Sequence, residues 1–326
     1  VTISGLRRSP TCKTTLNWCS DLTWKKPKVL LIRLDKIGDL ICTLPVDQVL
    51  DTEQYDVTWA VQKGLGSVVN LGDKSRRFLE LDKADAKGSA EKLGQFLKSE
   101  NFDYAISFQC PWWVNYQLFK AGVKHRAGVK SQWHSFLFLN EGVRQRRSLA
   151  EKHEFDYNLE IVLKTFGLKQ TKEFIQFRIE KPKHKDLLFK YHLAEKDYVV
   201  VHPGMSGSAL NWPQSSYIDY IQKLLDQNKK VVITGTDSDE PYLTEIKKKF
   251  SDNPQVLWLQ SKINLKELVE LVAYADYVVV PSTGVAHIAA SVGAKVKAIF
   301  SPVRVHHPKR WAPRGSDVEI WMINVS

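Results

Sequence analysis

The chain has 326 residues, 43% hydrophobic and 25% charged, an ordinary globular composition that excludes wholesale disorder and suits two domains of average size. Lysine and arginine number 47 against 36 acids, a net charge of +11. The excess lies mainly in residues 1–150, with 23 basic and 15 acidic side chains, so an anionic partner is expected on that side. No apolar run approaches the ~20 residues that span a bilayer, the opening segment lacks the apolar core of a secretory signal, and Cys12, Cys19, Cys42 and Cys110 form neither a CxxC pair nor a zinc spacing. Integral membrane insertion, secretion and a metal site are therefore not expected, and free thiols in a reducing compartment are.

Residues 1–27 read as a polar, basic extension. From Lys28 onward, short β-rich runs alternate with amphipathic stretches, the pattern of an α/β fold. The segment 29–34 reads as a buried parallel strand, followed by a glycine turn at Gly38 and a helix to about Leu50. Strands are expected at 55–61 and 104–108, with helices at 88–99 and 153–166. The charge-dense stretch 181–196, with Pro182, reads as a linker. A second series then opens: a strand at 198–202, a helix with Pro213 at its first position, and a strand at 231–234. It closes with a helix over Leu265–Val272, a strand at 277–280, a helix at 287–291 and a strand at 296–300. The predicted organisation is an extension at 1–27, a Rossmann-like domain at 28–180, the linker, and a second Rossmann-like domain at 197–326. The two domains face each other across a cleft, with ligands at the carboxyl ends of the strands.

Four loops at strand ends carry candidate chemistry. In Arg33-Leu-Asp35-Lys36-Ile-Gly38-Asp39, Asp39 falls near a helix N-terminus, where a carboxylate acts either as a cap or, beside Arg33 and Lys36, as a base toward an acceptor hydroxyl. His202-Pro-Gly204-Met-Ser206-Gly207-Ser208 is a donor-rich loop before a helix, suited to a pyrophosphate. Ser282-Thr283-Gly284 offers amides to a second phosphate oxygen, with His287 one turn on, either a ligand or a buried core histidine. Asp237 either accepts from ribose hydroxyls or caps the next helix. Lys120, Lys124, Arg126, Lys130, Arg144, Arg146 and Arg147 crowd the later loops of the first half. Trp112, Trp113 and Trp133 nearby suit sugar stacking, an interfacial position or the core.

Taken together, 29–50 (VLLIRLDKIGDLICTLPVDQVL), 202–213 (HPGMSGSALNWP) and 277–293 (YVVVPSTGVAHIAASVG), with Arg310-Trp-Ala-Pro313, resemble glycosyltransferase family 9, the bacterial ADP-heptose:lipopolysaccharide heptosyltransferases. The resemblance implies a GT-B fold, an ADP-sugar as co-substrate with no further cofactor and no metal, and an inverting displacement with Asp39 as base. It puts the donor on Ser206, Gly207, Ser208, Asp237, Ser282, Thr283, Gly284 and His287. The basic field assigns an anionic acceptor of the lipid A–Kdo type to Arg33, Lys36, Arg126, Arg144 and Arg147. A cytoplasmic enzyme working transiently at the inner face of the bacterial inner membrane follows. The chain carries Ser282 where the family commonly has an acid, and Leu210 where it commonly has a cation. These two positions motivate the alternative of a nucleotide- or glycan-binding protein without transferase activity. A dinucleotide oxidoreductase is disfavoured because no GxGxxG follows either opening strand, and no nucleic-acid-binding motif accompanies the basic charge.

Overall fold

The computed structural model describes residues 25–169, 174–205, 207 and 209–323. The expected N-terminal extension falls almost wholly outside them. Five parallel strands, β1 (Lys28–Arg33), β2 (Asp56–Gln62), β3 (Arg77–Leu81), β4 (Tyr104–Ser107) and β5 (His125–Gly128), form one sheet in the order β3-β2-β1-β4-β5. Six more form a second parallel sheet in the order β11-β10-β9-β6-β7-β8: β6 (Tyr198–Val201), β7 (Lys230–Ile233), β8 (Val256–Trp258), β9 (Tyr277–Pro281), β10 (Val296–Phe300) and β11 (Val318–Met322). β1, β6 and the body of β9 are almost entirely buried, which is why they read as unbroken Val/Leu/Ile runs rather than alternating ones.

The first sheet is served by α1 (Ile37–Thr43), α2 (Gly66–Val69), α3 (Ala86–Glu100), α4 (Trp112–Lys120), α5 (Trp133–Phe138) and α6 (Glu154–Phe166). The second is served by α7 (Asp186–Lys190), α8 (Gln214–Asp226), α9 (Glu240–Phe250), α10 (Leu265–Tyr274), α11 (Gly284–Ser291) and α12 (Pro308–Trp311). The helix expected to run to Leu50 stops at Thr43 and continues as a 3₁₀ turn over Leu44–Val49, because Pro45 cannot extend an α-helical ladder. Pro213 is the N-cap of α8 rather than its first residue, and α11 begins three residues earlier than the sequence pattern suggested. The four edge strands, β3, β5, β8 and β11, are absent from the sequence expectation, because they are only partly buried and lack the unbroken apolar run of the central strands. Within the expected linker, the short helix α7 buries Leu187 and Leu188, and Glu270 of α10 accepts from the Leu188 amide.

In each sheet the strand order reverses beside the opening strand, β1 against β4 and β6 against β9, so each lobe opens a crevice at the carboxyl ends of its strands. The lobes meet there. Apolar packing runs without a break from Leu40 and Ile41 of α1 to Ala286 and Ala289 of α11. The approach is close enough to need two glycines. A Cβ on Gly284 would lie 2.7 Å from Ile37 Cβ, and one on Gly38 would lie 3.1 Å from the His287 ring.

Candidate active site

The crevice between the lobes is a cleft of ≈ 930 Å³, lined from the first lobe by Asp35, Lys36, Asp39 and Lys83 and from the second by Gly204, Asp239, Thr283 and Gly284. A smaller recess of ≈ 400 Å³ continues from it past Gly38, Ser282, His306 and Trp311. Asp39 and Lys36 line both, as do Thr283, Gly284 and Arg310.

Asp39 is the third residue of α1. It does not cap the helix, whose N-cap is Lys36, with no side-chain cap bond. Its Oδ1 instead accepts from Arg33 Nη2 at 2.6 Å, and Oδ2 has no hydrogen-bond partner among the described residues. Burial pushes the Asp39 carboxyl above its usual range, and the Arg33 charge only partly offsets this. A carboxylate oriented on one oxygen, raised in basicity and open to the cleft on the other side has the geometry of a general base.

Arg33, expected at the acceptor, lies in the cleft wall but is 1% exposed and ion-paired to Asp35 at 2.9 Å, to Asp39 and to Glu154 at 3.3 Å, so its guanidinium is engaged in positioning carboxylates. Glu154, fully buried at the start of α6, gathers three guanidiniums: Arg33, Arg147 at 2.5 Å and Arg310 from the second lobe at 2.9 Å. Burial alone would raise the Glu154 pKa, yet the three cations hold it below its usual range. Arg147 is therefore also spent internally, on Glu154, Asn158 and Gln145, and burial lowers its pKa to about 10. Arg126 donates to the Phe138 and Val123 carbonyls and lies over the Phe119 ring, and Arg144 stacks over Phe136. Neither lines the cleft. Of the five basic residues expected at the acceptor, only Lys36 lies exposed in it.

In the second lobe, Ser282, Thr283 and Gly284 stand at the N-terminus of α11, the strand-to-helix junction expected there. Thr283 is the N-cap but makes no cap bond, and its buried Oγ1 has no partner among the described residues. Ser206 and Ser208 lie outside the described residues. Gly207, between them, adopts a positive φ of 66° and donates its amide to the Tyr242 hydroxyl at 3.1 Å. Asp237 accepts from Ser261 Oγ at 2.5 Å on the exposed side of its turn. Two residues on, Asp239 turns inward, because a capping box ties its Oδ2 to the Thr236 amide and hydroxyl. Asp239 is buried against Gly204, where a Cβ would sit 2.1 Å from its carboxyl carbon, and its Oδ1 has no partner among the described residues. The cleft thus receives Asp239 rather than Asp237, a choice the Thr-x-x-Asp capping pattern signals in the sequence. His287 is likewise corrected. It is buried in the seam between lobes, its Nδ1 3.7 Å from Cys42 Sγ, and burial drives its pKa down to about 3, so it is a neutral packing group rather than a phosphate ligand. Glu154 and Arg310 are the residues sequence reasoning missed. Arg310 stands in the quoted Arg-Trp-Ala-Pro run, whereas Glu154 carries no local signal.

Two parallel, doubly wound lobes with ligand crevices facing each other constitute the GT-B fold, and its solved relatives share it. Heptosyltransferase II of Escherichia coli superposes with a TM-score of 0.77 at 17% identity, covering 92% of this chain and 91% of that one. The model of glycosyltransferase family 9 (heptosyltransferase) matches residues 90–325, and the chain belongs to that family. A Haemophilus influenzae protein held to be a glycosyltransferase is 26% identical, over 88% of this chain and 86% of its own length. The lipooligosaccharide heptosyltransferase 2 of the same organism is 25% identical, over 66% of this chain and 64% of its own length.

Proposed function

We propose that this glycosyltransferase moves a heptose, or a closely related sugar, from an ADP-activated donor to a hydroxyl of an anionic inner-core lipopolysaccharide acceptor, with inversion at the anomeric carbon. The observation that carries the reading is Asp39, held by Arg33 and facing the start of α11 across the cleft. The donor diphosphate lies against the N-terminus of α11, where the Thr283 hydroxyl and the first-turn amides donate to it and the helix dipole favours the charge of the departing ADP. Asp239 takes the place expected of Asp237 as the carboxylate beside the nucleoside. Asp39 Oδ2 removes the proton from the acceptor hydroxyl as its oxygen attacks the anomeric carbon. The carbon–oxygen bond to ADP breaks on the opposite face, and the configuration inverts. Lys36, Lys63 and Lys83 line the first-lobe wall, Lys83 paired with Asp35 at 2.7 Å and Lys63 with Asp82 at 3.9 Å, and these lysines rather than the internally used arginines are the cations that an anionic acceptor would meet. The heptosyltransferase relatives support the sugar and the lipopolysaccharide pathway, and an acceptor anchored in lipid would suit work at the inner face of the cytoplasmic membrane.

The test pairs a donor screen with Asp39→Asn. General-base assistance is worth ~10²–10⁴-fold, so the variant is expected to lose about that much turnover with a delipidated core acceptor while its ADP affinity, read by calorimetry, stays within about twofold. ADP binding without product from any heptose donor, in the native protein, selects the non-catalytic alternative. Native turnover in Asp39→Asn removes the aspartate from the chemistry.

A further inference from the structure

Helices α4 and α5 are anchored by their inner faces. Trp113, Val114 and Leu118 of α4 pack into the core, and His134 and Ser135 of α5 are buried. Their outer faces leave Trp112, Tyr116, Phe119, Trp133, Phe136 and Leu137 in solvent, with Trp133 63% and Leu137 64% exposed. These side chains are not scattered. Phe138 lies 5.5 Å from Tyr116, 5.7 Å from Phe119 and 6.4 Å from Trp133, and Trp112 is 6.2 Å from Tyr116. A contiguous aromatic surface of this kind on a folded lobe marks a place where something docks.

The charge around it says what. Between positions 111 and 150 the sequence has seven basic residues and one acid, Glu141, which is engaged with His125 at 2.6 Å. Arg147 is buried with Glu154, which leaves Lys120, Arg126 and Arg144 at the aromatic face, with Lys124 and Lys130 at the Asn140 turn that follows α5. Arg126 and Arg144 lie directly over rings of the patch, 5.6 and 5.4 Å from the centroids of Phe119 and Phe136. Tryptophan and phenylalanine beside cations are the composition of a surface that seats in the headgroup region of an anionic bilayer, with rings at the acyl boundary and cations at the phosphates. Location agrees. Both helices follow parallel strands of the sheet that carries Asp39, so both begin at the carboxyl edge where the cleft opens, and Gln109, just before α4, lines that cleft.

We propose that the outer face of α4 and α5 docks on an anionic phospholipid surface and holds the mouth of the cleft at the membrane. The inference deepens the membrane-side part of the reading above, and its test needs neither donor nor acceptor, so it can fail independently of that reading. The native protein is sedimented with vesicles of phosphatidylethanolamine and phosphatidylglycerol, and with vesicles of phosphatidylcholine alone. Binding is expected to the anionic vesicles only, to weaken as salt screens the cations, and to bring tryptophan fluorescence within reach of brominated lipid quenchers. The double variant Trp112→Ala/Trp133→Ala, and separately Lys120→Glu/Lys124→Glu/Lys130→Glu, are each expected to lower the partition constant by about tenfold or more. All five side chains lie at the surface or its margin, and quenching in the native protein requires no variant. Equal binding to both kinds of vesicle, binding unaltered by either variant, or a dimer that the tryptophan variant converts to monomer overturns the proposal. The last result would assign the face to a second copy of this chain.

Discussion

An aspartate in the first turn of a helix is ordinarily a cap or a partner of the dipole, but Asp39 makes no cap bond. Its tie to Arg33 fixes the carboxylate, and burial raises its pKa. The acid limb of the turnover profile is therefore expected above the ordinary aspartate range, because protonating a base abolishes it. A second pH effect belongs to two histidines that do no chemistry. Burial lowers His202 to about 4 and His287 to about 3, against an ordinary value of 6.5. Between those values the unfolded chain holds more protons than the folded one, so this contribution to stability is complete above the ordinary value and is lost as pH falls toward the folded ones. Urea midpoints measured down that range are expected to drop steadily, and more shallowly in His287→Gln than in the native protein. Equal slopes would mean that His287 is not a buried neutral group. Asp39 was legible at this scale because Gly38 and the preceding strand locate it. Arg33, one strand end earlier, carried the same apparent promise and turned out to be buried, since a sequence does not report which cations a carboxylate such as Glu154 will claim.

At the scale of elements, the contact that organises the cleft is α1 against α11, two helix starts from different lobes meeting through Gly38 and Gly284. Any side chain at Gly284 meets Ile37 Cβ and Cγ2, at 2.7 and 2.8 Å, so one of the helices must move. Gly284→Ala is expected to cost about 1–3 kcal/mol of stability, as overpacking does, and to lower turnover further by tilting α11 away from Asp39. Chemical denaturation and steady-state kinetics on the same preparation check both effects. An unchanged midpoint would show that the seam is looser than described. The long elements were readable from period and β-branched runs. The 3₁₀ continuation after Thr43 and the edge strands β3, β5, β8 and β11 were not, because one proline carries no period and a half-exposed edge strand carries no continuous apolar run.

Across the whole molecule, the lobes are joined by apolar packing and by one buried ionic cluster. Arg310 Nε and Nη2 reach Glu154 Oε2 at 2.9 Å, Arg310 also donates to the Arg147 carbonyl, and His153 Nε2 meets the Ala312 carbonyl. The cluster continues through Arg33 to Asp39, so the relation between lobes and the orientation of Asp39 are set by the same carboxylate. Glu154→Gln is expected to destabilise the fold by about 3–5 kcal/mol, since it leaves the buried Arg147 and Arg310 without the carboxylate that pairs them. It should also lower turnover beyond what the residual folded fraction explains. A variant as stable as the native protein would reduce the cluster to a packing detail. The sequence by itself determined that two parallel α/β lobes would form, where their ligand-bearing strand ends lie, and that Asp39 and Thr283–Gly284 stand at them, because strand hydrophobicity and glycine turns are written locally. That Glu154 would claim Arg33, and how it binds one lobe to the other through Arg310, were decided only by tertiary structure. Both depend on charges more than a hundred residues apart sharing a volume without water, and no local pattern encodes that.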